Sequence, residues 1–338
     1  MAEVFYDDDA DLDLVQTRNV AVLGYGSQGS AQALSLRDSG ADVRVGLPER
    51  SRSRVHAEAD GLRVVSPYEA CEESDLVVVL VPDPAQPSLY TEAVEPNLVD
   101  GDTLLFGHGF NVRYGRIKPP AGVDVVMVAP KGPGWLVRSE FGEGRGVPVL
   151  VAVEQDASGL AWELTLSYAR AIGGTRAGAI KTTFGEETEA ALFGEQAVSP
   201  GGVVALVHAG FETLVEAGYQ PEVAYFECVT ELKRNVDLMY EGVRAYHRSE
   251  AEYGGYTSGP YVVDASVRRR MSDVLATIQG GSWAEEYTAD QDAGAPKLDE
   301  LRQNAAAHPI ERAGHEMRKL MAWVKPHDGS PADGPAAG

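Results

Sequence analysis

Gly24-Tyr25-Gly26-Ser27-Gln28-Gly29 follows the apolar run Val20-Ala21-Val22-Leu23 and precedes an amphipathic stretch. Glycines at those spacings, between a strand and a helix, suit a dinucleotide. The first allows a tight turn, the second lets backbone approach a pyrophosphate, and the third permits close helix–strand packing. The phosphates would lie over the helix N-terminus, where N–H groups have no helical partner. A second group follows the next apolar run, where Val45-Gly46-Leu47 leads into Pro48-Glu49-Arg50-Ser51-Arg52-Ser53-Arg54. An NAD site wants an acidic residue at this strand end to hold the ribose 2′-hydroxyl. Three arginines and two serines suit a 2′-phosphate instead, and point to NADP.

Such turns must be carried by a sheet. Short β-branched runs at 19–23, 42–45, 76–81, 103–106, 124–128 and 149–153 are bounded by Gly, Pro or Asp and alternate with helical patterns such as 28–39. Continuous apolar strands between helices predict a Rossmann-type, doubly wound parallel sheet over residues 1–180. Helical patterns follow: 203–217 ending at Gly218, then a helix opened by Pro221 and stopped at Gly242, then 264–279, 283–290, 297–308 and 309–324. They predict an all-helical unit over 181–325, with a Pro/Gly/Ala-rich disordered tail over 326–338. The 338 residues carry 29 Lys+Arg against 51 Asp+Glu, a net charge of −22, which argues against nucleic acid as partner. No run approaches ~18 uninterrupted apolar residues, so no spanning helix and no membrane partner are expected. The N-terminus is acidic rather than basic-then-apolar, and two cysteines do not make a disulfide scaffold. A cytoplasmic protein is expected. Arginine dominates lysine and Ala and Gly are abundant, a composition that hints at a GC-rich bacterial genome.

Further motifs make the chain resemble ketol-acid reductoisomerase in its short form, from Val4 to about Lys325. Beside the glycine turn they are Gly107-His108-Gly109-Phe110-Asn111, Ala129-Pro130-Lys131-Gly132-Pro133-Gly134, Thr182-Thr183-Phe184-Gly185-Glu186-Glu187-Thr188-Glu189 and Leu192-Phe193-Gly194-Glu195-Gln196. Ala224-Tyr225-Phe226-Glu227-Cys228, Glu231-Leu232-Lys233 and Ala251-Glu252-Tyr253-Gly254 continue the match. The resemblance implies a Rossmann domain followed by a knotted helical domain. It also implies homodimers, or higher oligomers, whose helical domains intertwine to complete the active sites. NADPH and two Mg²⁺ ions would serve alkyl migration in a 2-acetohydroxy acid and then reduction of the resulting 2-keto acid. By the same resemblance Ser51 and Ser53 hold the cofactor phosphate, with Arg50 and Arg52 beside them. Asp83 and Gln86 border the cofactor, Gly134 closes a cofactor-side loop, and His108 and Lys131 are active-site groups. Glu195, Glu227 and Glu231 match three of four acidic metal ligands. Glu227 and Glu231 stand four apart and share a helix face, as a hard oxygen site requires.

The fourth ligand of that set, an aspartate touching both ions, is Ala191 here. Trp135 stands where the family has His, Arg248 where a serine contacts the substrate carboxylate, and Ser199-Pro200 where Leu-Cys precedes two glycines. Pro48 replaces a cofactor-site arginine. Trp135, Arg248 and Ser249 thus form a changed substrate set, with a stacking plane and a fixed cation suited to larger aromatic or phosphorylated molecules. These changes lead to the expectation of a repurposed enzyme in specialised metabolism. A dinucleotide would be its substrate, one Mg²⁺ on the three glutamates would activate water against the pyrophosphate, and Glu187, Glu189 or His247 would act as base. The alternative is an NADPH-dependent reductase or reductoisomerase of a 2-keto or 2-acetohydroxy acid. A further alternative is a non-catalytic dinucleotide-binding protein.

Overall fold

The Val-rich runs become the central strands of a nine-stranded sheet in the computed structural model, which describes residues 2–242 and 249–324. The strands are β1 (Val4–Phe5), β2 (Asn19–Leu23), β3 (Asp42–Gly46), β4 (Arg63–Val65), β5 (Leu76–Val79), β6 (Thr103–Phe106), β7 (Asp124–Pro130), β8 (Val149–Gln155) and β9 (Ala179–Lys181). Their order is β1-β9-β8-β7-β6-β5-β2-β3-β4. From β4 to β7 all pairs are parallel, whereas β8 runs antiparallel to β7 and β1 antiparallel to β9. Apolar residues on both faces of each strand follow from the two-residue repeat. Val20, Val22, Leu76, Val78 and Val126 face one core, and Ala21, Leu23, Val77, Val79 and Met127 the other. Cys71 lies in the second core at 2 % exposure, and burial pushes its thiol up to about 12. Native protein titrated with a thiol-specific disulfide reagent is therefore expected to leave Cys71 unmodified until denaturant is added. Prompt modification of Cys71, read by peptide mass spectrometry, would contradict this packing.

Two compact units result, one including Met1–Thr188 and the other Glu189–Ser330. The sequence reading places this division at 180/181. The second unit is helical: Val204–Glu216, Pro221–Tyr225, Glu231–Tyr240, Ser249–Val262, Ala265–Gln279, Ser282–Asp292, Pro296–Ala306 and Pro309–Leu320. Its core gathers Phe211, Ala224, Tyr225, Ile310, Ala313 and Met317. Two stretches are π-helical, Gly194–Val203 and Phe226–Thr230. Pro200 lies in the first and cannot donate the hydrogen bond that an α-helix would ask of it. Gly201 and Gly202 follow, and a side chain on either would run into the carbonyl of Gln196 or Ala197, so this wide turn depends on small residues.

The described residues include one helix that the test on apolar runs passed over. Phe184–Glu216 is one helical run of 33 residues, long and apolar enough to cross a membrane by length and composition alone, a test that the core helix of a soluble protein also passes. The test on uninterrupted apolar residues missed it because glutamates and glycines punctuate the run. Its first turn belongs to the core of the first unit, where Phe184 and Thr188 are buried. His247, Arg248 and the tail 326–338 lie outside the described residues.

Candidate active site

The parallel strands present their carboxyl ends along one edge of the sheet. Leu23 of β2 is in register with Gly46 of β3 and Val79 of β5, Val79 with Phe106 of β6, and Phe106 with Met127 of β7. The segments that leave these ends carry, in spatial order, Arg50–Ser53, Gly24–Gly29, Asp83–Gln86, His108 and Lys131. β2 stands where the strand order reverses, between β3 and β5, and open α/β sheets bind ligands in the crevice at that point.

The glycine turn has the geometry its spacing implies. Gly24 adopts φ +104, with Leu80 backbone about to touch any side chain there. A Cβ on Gly29 would strike the Gly24 carbonyl, whereas Gly26 has open space beside it. Gly26 precedes the helix Ser27–Asp38, so the open side of the turn and the helix N-terminus coincide. The flanking side chains are used in building the turn. Tyr25 is buried and donates to Asp60 Oδ2 at 2.7 Å, and burial with that carboxylate raises its hydroxyl well above the usual tyrosine range. Gln28 donates to the Gly132 carbonyl at 2.9 Å, and the Gly134 N–H donates to Ser27 Oγ at 3.1 Å. In the basic loop Arg54 is spent on the carbonyls of Leu47, Val64 and Val65, leaving Arg50 and Arg52 exposed. Ser51 Oγ accepts the Ser53 N–H at 3.3 Å.

A chain of charged groups occupies the next three strand ends. Glu187, 3 % exposed, accepts from Lys131 Nζ at 3.0 Å and from the Gly109 N–H at 3.4 Å. His108 Nε2 lies 3.7 Å from the same carboxylate, and His108 Nδ1 is 3.1 Å from Asp83 Oδ2. Gln86 is buried and ties the Asp83 loop together, donating to the Val81 carbonyl and to Asp83 Oδ1 and accepting from Asn111 Nδ2. Asn111 also donates to the Asp83 carbonyl at 3.0 Å. The sequence reading assigned no role to Asn111, although its place in the Gly107–Asn111 motif was a signal. Lys131 is the exposed end of the chain of charges, its side chain 41 % accessible. The arrangement presents a fixed ammonium, backed by a buried carboxylate, at the mouth of a dinucleotide crevice.

Glu187 was expected, with Glu189 or His247, as a base. It is buried and paired with Lys131. Glu195 opens one π-helical stretch, Glu227 lies in the other and Glu231 begins the helix after it, all three exposed. π-helical turns are rare and concentrate at functional sites. Glu231 also lies 4.0 Å from Arg234, and Glu189 Oε2 accepts from Gln279 at 3.3 Å. Among the described residues of one chain, no three His, Cys, Asp or Glu side chains gather as a metal cluster. Three carboxylates are the hard oxygen donors that Mg²⁺ takes, and the methyl of Ala191 adds none. Trp135 stands on the first turn of the helix Gly134–Gly142 at 64 % exposure. Ser249 begins the helix Ser249–Val262.

Comparison with known proteins matches residues 14–178 to the family described as acetohydroxy acid isomeroreductase, NADPH-binding domain. Residues 184–323 match that described as ketol-acid reductoisomerase, C-terminal domain. Proteins from Kineococcus radiotolerans and Beutenbergia cavernae, each named ketol-acid reductoisomerase (NADP(+)), are 64% identical to the chain over 341 residues, covering 100% of both sequences. The structure of an NADH-preferring ketol-acid reductoisomerase from an uncultured archean superposes with a TM-score of 0.88 at 42% identity, covering 95% of this chain and 99% of that one. These findings overturn the expectation of a Mg-dependent dinucleotide hydrolase. Full-length relatives this similar are named as NADP-linked reductoisomerases.

Proposed function

Since the chain belongs to the ketol-acid reductoisomerase family, we propose that it is an NADPH-dependent oxidoreductase acting on a 2-keto or 2-acetohydroxy acid. The observation that carries this reading is the Lys131 ammonium held at 3.0 Å by buried Glu187, on the strand ends beside the glycine turn. Gly26 and the helix N-terminus behind it would hold the pyrophosphate of NADPH, and Arg50, Ser51, Arg52 and Ser53 its 2′-phosphate. NADPH when bound would supply a hydride to the keto carbon, and the Lys131 ammonium is placed to donate a hydrogen bond to the carbonyl oxygen where negative charge would develop. Glu187 fixes the ammonium, while Asp83 orients His108 against the same carboxylate. Glu195, Glu227 and Glu231 are the residues that would hold Mg²⁺, whose chemistry when bound is to polarise the substrate carbonyl. The apolar, exposed run Phe184–Glu216 supports a homodimer, in which a second copy covers it and the two helical units complete one set of acids. Light scattering is expected to give at least a dimer.

The test is purified protein with Mg²⁺, NADPH and either 2-acetolactate or a 2-keto acid, followed by NADPH absorbance and product mass. Absence of NADPH oxidation with every such acid would overturn the proposal. The basic loop gives a separate expectation. Arg50→Glu with Arg52→Glu should raise KM for NADPH by about 10–100-fold and leave KM for NADH nearly unchanged, since charge-assisted contacts to the 2′-phosphate are worth about 1.5–3 kcal/mol. Equal effects on both cofactors would show that these arginines do not read the 2′-phosphate.

A further inference from the structure

We infer that Asn111 is a positioning residue for the proposed reaction: from inside the protein it locks the Asp83–Gln86 loop, so that Asp83 holds His108 beside Glu187 and Lys131. The inference rests on the reading under Proposed function and adds a residue to the same site. Every group in it, from Asp83 to Glu187, belongs to the unit that includes Met1–Thr188.

Asn111 is fully buried on the short helix Phe110–Arg113, a few residues past the end of β6. Its neighbour Phe110 is buried as well, and the Asn111 carbonyl accepts the N–H groups of Arg116 and Ile117 at 2.8 and 3.0 Å. The backbone that carries the amide is thereby fixed.

The direction of each amide follows from a group that can only accept. Gln86 Nε2 donates to the Val81 carbonyl at 3.0 Å and to Asp83 Oδ1 at 3.1 Å. A carbonyl offers no proton, so Gln86 Oε1 must point the other way and needs a donor there. Asn111 Nδ2 is that donor, at 2.9 Å, and it also donates to the Asp83 carbonyl at 3.0 Å. Both of its hydrogens are used, and they hold the loop at two points. Asn111 Oδ1, in contrast, is buried without a hydrogen-bond partner among the described residues. An unpaired buried acceptor is a cost that an apolar side chain of similar size would avoid. The amide is therefore explained by its two donated bonds and not by the space it fills.

Asp83 carries this constraint outward. One of its carboxylate oxygens receives Gln86 and the other lies 3.1 Å from His108 Nδ1, so the carboxylate is held from both sides. His108 Nε2 lies 3.7 Å from one oxygen of Glu187, whose other oxygen is 3.0 Å from Lys131 Nζ. The chain of contacts runs from buried Asn111 and Gln86 to partly exposed Asp83 and His108. Rigid interior groups of this kind keep the groups at a crevice mouth in reacting geometry.

The experiment pairs kinetics with nitrogen NMR on the full-length protein. Asn111→Ala is expected to lower kcat for NADPH-dependent reduction of a 2-keto acid by about 10–100-fold, since a misplacement of about 1 Å costs on the order of 10²-fold. KM for NADPH should stay within a few-fold. Asp83→Asn should lose a similar amount. The double variant should lose no more than about threefold beyond Asp83→Asn alone, because residues that act as one unit are not additive. In cofactor-free protein labelled with ¹⁵N-histidine, the His108 Nδ1 resonance, assigned by its loss in His108→Gln, should move in Asn111→Ala and in Asp83→Asn alike. Unchanged kcat, losses that multiply in the double variant, or an unmoved His108 resonance in Asn111→Ala would each overturn the inference while leaving the proposed function standing. Reduction of no acid by the unaltered protein would overturn the proposed function instead, and the His108 resonance would still decide whether Asn111 positions the ring. Where Asn111→Ala does not fold, Asn111→Ser is read in its place, with the same directions of change expected.

Discussion

Lys131→Met is expected to lower kcat for NADPH-dependent reduction by about 10²–10³-fold, the cost of removing one preorganised donor at a developing oxyanion. NADPH affinity should change by less than about twofold, because the glycine turn and the basic loop keep their contacts. The effect is large because the ammonium is placed by a buried partner. Glu187 is 3 % exposed and its two oxygens divide among Lys131 Nζ, the Gly109 N–H and His108. Methionine matches the length of the stem but leaves that carboxylate without its cation, a cost of about 1–3 kcal/mol in stability. The solvent access of Lys131 keeps this below the value for a fully enclosed pair. Glu187→Gln should therefore recover stability and not activity, since an amide fills the space and cannot hold the ammonium by charge. Single-turnover kinetics with thermal denaturation of both variants separates the two effects. Unchanged kcat in Lys131→Met would remove the lysine from the reaction.

The parts of this site differ in how plainly the sequence showed them. The glycine turn was legible because its requirements are local: close approach at Gly29 and positive φ at Gly24 are met within six residues. The six longer strands were legible from apolar runs buried on two faces. Strand direction was not, since a run such as Val149–Gln155 reads the same parallel or antiparallel, and β8 proves antiparallel to β7. The two- and three-residue strands β1, β4 and β9 owe their existence to neighbours rather than to any pattern of their own. The contacts of Glu187 were hidden for a related reason. Its partner Lys131 is 56 residues away, and no spacing rule links a lysine at one strand end to the first turn of a helix. Arg54 shows the converse: it read as one of three phosphate-binding cations, and tertiary contacts with three carbonyls make it a structural one. The π-helical stretches escaped because Pro200 signals the loss of a donor without saying how the backbone absorbs it.

Gly134→Ala should raise the dissociation constant for NADPH by about 10–100-fold, as overpacking a tight contact costs about 1–3 kcal/mol. A Cβ on Gly134 would run into the backbone carbonyl of Ser27, whose Oγ accepts the Gly134 N–H at 3.1 Å. A carbonyl cannot swing aside as a flexible side chain can, so the strain moves one of the two backbones. Ser27 is the first residue of the helix that follows Gly26, and the Gly132 carbonyl holds Gln28 at 2.9 Å on the same side. Displacement therefore falls on the N–H groups meant for the pyrophosphate rather than on Lys131. The kinetic signature is the reverse of that for Lys131→Met: KM for NADPH rises, and kcat at saturating cofactor stays within a few-fold. Gly142→Ala, at the far end of the same helix with nothing within 4 Å of an added Cβ, is the matched control and should bind NADPH normally. Isothermal titration with the three proteins reads the difference directly. Equal affinity in Gly134→Ala and Gly142→Ala would mean that the turn adapts, and that the pyrophosphate does not depend on the contact between Ser27 and Gly134.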